Sequence, residues 1–260
     1  MNLHLTNKVF IVTGGAKGIG AAISKTLAEE GAIVMIAGRD KEDNQAMVDK
    51  IIKAKGKAAS QTVELADPGA CKELIDFTVD KYGKIDGLIN NAGVNDGVDL
   101  ENGSPERFVA SLQKNLTHYY NLAHYALPQL KKNKGVIINI GSKVAETGQG
   151  HTSGYAAAKG GVNALTREWA AELLPFSVRV NAVIPAEVWT PLYEKWINSL
   201  PNSKEKLADI ISKIPLEKRF TTSEEIANMV VFLVSDRSSH TTGQIIYVDG
   251  GYTHLDRSLT

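Results

Sequence analysis

The chain has 260 residues, 43% hydrophobic and 22% charged, with Lys+Arg 29 against Asp+Glu 29. This suits a globular protein with a sizeable core, and a net charge of zero supplies no basic surface for nucleic acid or an anionic membrane. Cys71 is the only cysteine, so no intrachain disulfide can form, and no apolar run reaches the ~20 residues of a membrane-spanning helix. With no apolar leader in Met1–Lys8, a cytoplasmic location is expected.

The apolar run Val9–Val12 leads into Thr13-Gly14-Gly15-Ala16-Lys17-Gly18-Ile19-Gly20 and then a helical stretch, 18–30. Strand, Gly-rich turn and helix in this order let a backbone approach a pyrophosphate, which the free N–H groups of the helix start would bind. Gly14, Lys17, Gly18, Ile19 and Gly20 are therefore candidate dinucleotide contacts; the alternative is a tight turn without a ligand. The second run, Ile33–Ala37, ends in Gly38-Arg39-Asp40. An acid there would take a ribose 2′-OH and a base a 2′-phosphate. Arg39 offers a bidentate fork and Lys17 a second cation, favouring NADP with NAD as the alternative; Asp40 can cap a helix over 41–55.

Further along, Ala58–Val63, Ile85–Ile89, Gly135–Ile140, Val178–Ile184 and Gln244–Val248 read as strands. Their Val- and Ile-rich, nearly unbroken apolar character predicts burial on both faces. Helices are expected over 68–82, 105–131 in two parts, 153–174 and 222–235. Strand–helix alternation predicts an α/β fold, a doubly wound parallel sheet of seven strands with right-handed crossovers, in a single domain over 1–260. Residues 186–216, with Trp189, Tyr193 and Trp196, break the alternation. After the sixth strand such an insertion reads either as a helical lid over the strand ends or as a surface helical pair with its own small core.

Tyr155 and Lys159 stand four residues apart in a helical stretch, with Ser142 upstream. Positions i and i+4 share a helix face, so the lysine can favour the phenolate and make the tyrosine a proton-transfer group. An exposed Tyr/Lys pair is the bland alternative.

Thr13-Gly14-x3-Gly18-x-Gly20, Asn90-Asn91-Ala92-Gly93, Asn115, Ser142 and Tyr155-x3-Lys159 together resemble the short-chain dehydrogenase/reductase family over about residues 6–252. The resemblance implies a Rossmann-like fold, a nicotinamide cofactor, reversible hydride transfer between alcohol and carbonyl, and a homotetramer. It implies that Asn91, Ala92 and Gly93 line the adenosine side, with Glu64 and Leu65 at the adenine. Asn115 would hold a relay water, Ser142 would orient the substrate oxygen, and Tyr155 would transfer the proton. Lys159 would bind the ribose and lower the Tyr155 pKa, while Pro185, Val188 and Thr190 would clasp the carboxamide.

Where the family commonly has Pro-Gly, this chain has Pro185-Ala186-Glu187. Glu187 reads either as an acceptor for substrate hydroxyls or as the partner of a local cation. The stretches 91–96, 115–120, 185–196 and 249–257 resemble a bacterial sugar dehydrogenase branch of the L-fucose dehydrogenase type. That implies oxidation of an aldose at C1 to a lactone. Lys143, Gln149, His151 and Glu187, beside Ser142 and Tyr155, form the polar set a sugar needs. Lys143 reads equally as a solvated charge and His151 as a loop residue. The enzymatic alternative is a 3-oxoacyl-carrier-protein reductase. No metal site is expected, and the tail 250–260 and the small-residue face of helix 153–174 are expected to meet neighbouring subunits.

Overall fold

A computed structural model describes residues Met1–Asp256; the last four residues of the tail lie outside it. Seven parallel strands form one sheet in the order β3-β2-β1-β4-β5-β6-β7. These are β1 (Val9–Thr13), β2 (Ile33–Gly38), β3 (Lys57–Thr62), β4 (Gly87–Asn90), β5 (Val136–Ile140), β6 (Arg179–Pro185) and β7 (Ile245–Val248). Chain order reverses between β1 and β4, where an open α/β sheet leaves a crevice at the carboxyl ends of its strands.

Alternation along each strand feeds two cores. Phe10, Val12, Val34, Ile36, Ile138 and Ile140 pack against α1 (Gly18–Glu29), α2 (Lys41–Lys53) and α9 (Ser223–Val234). Ile11, Met35, Leu88 and Ile137 pack on the other side against α3 (Pro68–Tyr82), α5 (His118–Asn133) and α6 (Ser153–Glu172). Each fully buried strand side chain contributes about 2 kcal/mol. Gly87 has to be glycine, because a Cβ there would lie 2.7 Å from the Phe10 ring.

The predicted elements appear within a residue or two of their ends, and the burial expected of the strands needs correction at the two edges. β3 is an edge strand with both ends exposed and the middle half-buried, and β7, at the other edge, is half-buried throughout. Only the inner strands have the two covered faces expected of all seven. The two parts expected over 105–131 are α4 (Pro105–Leu112) and α5, separated by a π-helical turn, Gln113–Thr117. On α6, Gly161 is taken up within the chain, since a Cβ there would meet Leu116 at 2.8 Å, whereas Gly160 faces open space.

The insertion after β6 forms α7 (Pro191–Asn198) and α8 (Ser203–Ser212). Thr190 caps α7 by accepting from the Tyr193 N–H, and Ile197 and Ile214 are its buried anchors. A buried amide ladder runs from the sheet to α6. Asn90 Nδ2 donates to Asn139 Oδ1 at 3.0 Å, and Asn139 Nδ2 donates to Thr166 Oγ1 at 3.0 Å. Asn90 and Asn139 are register partners, so the ladder fixes α6, which carries Tyr155 and Lys159, against β4 and β5. No helix among the described residues is long and apolar enough to cross a membrane.

Candidate active site

The loop after β1 is shaped by three glycines. Gly14 and Gly18 have φ of +62° and +52°, and a Cβ on Gly20 would lie 2.1 Å from the Gly14 carbonyl oxygen. Helix α1 starts on Lys17 with no side-chain cap and no acidic residue in its first turn. Its leading N–H groups are thus left for an anion, as the helix dipole favours. The loop is tied to the end of β4 through Thr13, whose Oγ1 accepts from Asn91 N at 2.9 Å and Ala92 N at 3.0 Å. Asn91 Nδ2 in turn donates to Thr13 O at 2.8 Å.

These segments enclose a cavity of about 480 Å³. It is lined by Gly14, Lys17, Gly18, Ile19, Gly20, Arg39, Glu64, Leu65, Asn91, Ala92, Gly93, Tyr155, Lys159, Pro185 and Thr190, all expected from the sequence. Val188 is not among the lining residues. It is 5% exposed, packed in the core beneath α9, and its backbone bridges to Thr221. Lining residues that the sequence reading missed include Lys114, His118, Ile140 and Leu192. Arg39 and Lys17 both stand at the exposed rim next to carboxylates: Arg39 Nη1 is 3.9 Å from Glu64, and Lys17 pairs with Asp43.

Tyr155 and Lys159 line the inner end of the cavity; Ser142 and Asn115 do not line it but stand next to it, Ser142 hydrogen-bonded to Tyr155 and Asn115 beside Gly93. The Asn115 side chain is fully buried in the π-helical turn and serves two backbone partners. Its Oδ1 accepts from Val94 N at 2.7 Å and its Nδ2 donates to Ser111 O at 3.0 Å. Asn115 therefore pins the β4–α4 loop through its two backbone bonds. Lys159 is 2% exposed and donates to Ile140 O at 2.8 Å and to Tyr119 Oη at 3.0 Å.

Electrostatics in this pocket differ from the expectation of a lowered tyrosine pKa. Burial raises Tyr155 to about 12, and the hydroxyl of Ser142, bonded to it, pulls weakly the other way. Burial lowers Lys159 to about 7. Desolvation dominates in the chain by itself because Lys159 faces neutral acceptors and lies 5.6 Å from the Tyr155 ring centre, with no carboxylate paired to it among the described residues.

The polar set divides in two. Lys143 and Glu187, both 9% exposed, form an ion pair, and the second Glu187 oxygen accepts from Tyr193 Oη at 2.7 Å. Lys143 Nζ lies 4.0 Å from the Tyr252 ring centre, and Tyr193 contacts Trp189, Trp196 and Phe220. Gln149 and His151 stand apart, both exposed. The His151 ring bonds Asp99 at 3.3 Å, and its φ of 55° is that of a turn residue after Gly150. The loop reading of His151 is the one its position fits, and Lys143 is not a solvated charge. No group of three or more potential metal-ligating side chains occurs among the described residues.

Comparison with known proteins agrees with this architecture. The profile of the family described as Enoyl-(Acyl carrier protein) reductase matches residues 14–253. The chain is 38% identical over 250 residues to 3-oxoacyl-[acyl-carrier-protein] reductase FabG of Thermotoga maritima, covering 96% of this chain and 99% of that one. It is 34% identical over 247 residues to L-fucose dehydrogenase of Rattus norvegicus, covering 95% and 89%. Among solved structures, that of Cj0485 dehydrogenase superposes with a TM-score of 0.94 at 47% identity, covering 100% of this chain and 99% of the other. The chain belongs to the short-chain dehydrogenase/reductase family.

Proposed function

We propose that this enzyme oxidises an aldose such as L-fucose at C1 to the lactone, with NADP as cofactor. The observation that carries the sugar reading is the buried Lys143–Glu187–Tyr193 group on the segments that follow β5 and β6, flanked by the rings of Tyr252 and Trp196. Buried polar groups of this kind favour a substrate with many hydroxyls and reject apolar ones, and aromatic rings suit the apolar faces of a sugar. The similarity to L-fucose dehydrogenase supports the same reading.

The cradle fits a dinucleotide, because the uncapped start of α1 and the close approach enforced at Gly20 suit a pyrophosphate. Gly18, Ile19, Asn91, Gly93, Lys159 and Thr190 would hold it. When bound, the nicotinamide supplies the hydride acceptor. Ser142 holds the C1 oxygen of the substrate, and Tyr155, bonded to Ser142, removes the hydroxyl proton. Lys159 stabilises the phenolate so formed.

A second reading is reduction of 3-oxoacyl thioesters, favoured by the 38% identity to the Thermotoga maritima enzyme. A screen of aldoses and acetoacetyl thioesters, following reduced-cofactor absorbance, separates the two. Activity on aldoses that disappears in Tyr155→Phe, with cofactor binding retained, supports the sugar reading. Activity on thioesters alone replaces it.

A further inference from the structure

Lys159 is held by Tyr119, a residue with no part in the proposed reaction. Its Nζ donates to Tyr119 Oη at 3.0 Å and to Ile140 O at 2.8 Å, and Tyr119 Oη donates to the same carbonyl at 3.1 Å. The three atoms form a closed triangle beneath the cavity. Tyr119 is 0% exposed, so its hydroxyl has no contact with solvent or substrate. The remaining N–H of Lys159 is on the side of Gly93, where a Cβ would come within 3.6 Å of Nζ.

We propose that Tyr119 is a positioning residue whose phenol oxygen fixes Lys159 Nζ beside Tyr155 and holds the lysine in its charged form. This rests on the dehydrogenase chemistry of the same site. The groups facing Lys159 are few: Tyr119 and His118 from α5, Tyr155 from α6 and the Ile140 carbonyl from β5. His118 is 1% exposed and is pushed down to about 3 by burial and by Lys159 itself, so it is neutral at ordinary pH and neither repels nor pairs with the ammonium. That leaves two oxygen acceptors, Tyr119 Oη and Ile140 O, as the groups favouring the charged amine against the desolvation that lowers it to about 7. A hydrogen bond to a charged group in a buried site moves a pKa by about one unit.

The test is Tyr119→Phe, which keeps the packed ring and leaves Ile140 O bonded by Lys159. The first readout needs no turnover: the Nζ resonance of Lys159 in protein with ¹⁵N-labelled lysine, assigned by its loss in Lys159→Met and followed against pH. The titration midpoint should fall by about one unit in Tyr119→Phe. An unmoved midpoint overturns the proposal, whatever the enzyme does to substrates. The second readout is the pH profile of kcat/KM for oxidation. With less ammonium beside Tyr155 the phenolate is harder to form, so kcat/KM should match wild type below about pH 5, where the lysine is charged in both proteins, and fall by up to about tenfold above pH 7. A uniform loss at every pH means only disturbed packing and overturns the proposal. Tyr119→Phe combined with Lys159→Met should be no slower than Lys159→Met alone, and additive losses would also overturn it. Failure of the wild-type enzyme on every alcohol and carbonyl counts against the dehydrogenase reading, while the Lys159 titration still decides this one.

Discussion

Lys143 and Glu187 form a buried ion pair across 44 positions of sequence, joining the segment after β5 to the end of β6. Removing one partner from a buried pair leaves an uncompensated charge. Glu187→Gln should therefore lower stability by about 3 kcal/mol and raise KM for a sugar substrate about tenfold or more. Combining it with Lys143→Met should recover most of the stability and none of the KM. Chemical denaturation and steady-state kinetics on the same proteins check both.

Gly20 is limited by the Gly14 carbonyl, which a Cβ would approach to 2.1 Å. Gly20→Ala has to displace the loop backbone, at about 1–3 kcal/mol. The expected result is a lower melting temperature and at least about tenfold weaker dinucleotide binding, read by fluorescence titration. Gly160→Ala, which faces open space on α6, serves as the control and should leave binding unchanged.

Lys159 lies in the folded chain at about 7, below its ordinary 10.5, so the fold disfavours the protonated amine. The unfolded chain binds that proton up to about pH 10.5, so wild-type stability rises between the two values and is least below pH 7. Lys159→Met removes this titration. It should be more stable than wild type by about 2 kcal/mol below pH 7, with the advantage shrinking as pH rises toward 10.5, while activity is lost. Melting temperatures from pH 6 to 10 test the sign; an advantage that grows with pH contradicts it.

Arg39 and Lys17 are the cations at the adenosine end of the cavity, each beside a carboxylate. Arg39→Ala should raise KM for NADP about tenfold with little change for NAD, and Glu64→Gln, by releasing Arg39, should lower KM for NADP slightly. Initial rates with both cofactors measure this. An enzyme that already prefers NAD would refute the assignment.

Much of the fold was legible because the inner strands are short, apolar and separated by helices of ordinary length. The cradle was legible because glycine is demanded by local backbone geometry, and Gly14, Gly18 and Gly20 carry that demand in the sequence itself. That Glu187 pairs with a cation was one of its two readings; that the cation is Lys143 depends on β5 and β6 ending side by side. The same holds for Tyr119: it stands one helical turn after Asn115, the spacing that drew attention to Tyr155 and Lys159, but only the approach of α5 to α6 and β5 brings it to Lys159. That the Val188 side chain packs in the core and His151 stands on an exposed turn was not legible, because proximity in sequence to a functional segment says nothing about side-chain direction. In the chain by itself the burial that Tyr155 and Lys159 share outweighs the neighbouring cation, and burial is not legible in a four-residue spacing.

The π-helical turn at Gln113–Thr117 gives the long helix one residue more than its regular winding would hold. Each residue of an α-helix advances about 100° around the axis. Deleting a single residue there would let α4 and α5 run on as one uninterrupted helix, with every backbone bond satisfied and nothing lost from the core on the α5 side. It would also swing Asn115 away from Val94. The anchoring of the β4–α4 loop thus depends on a miscount in the helix.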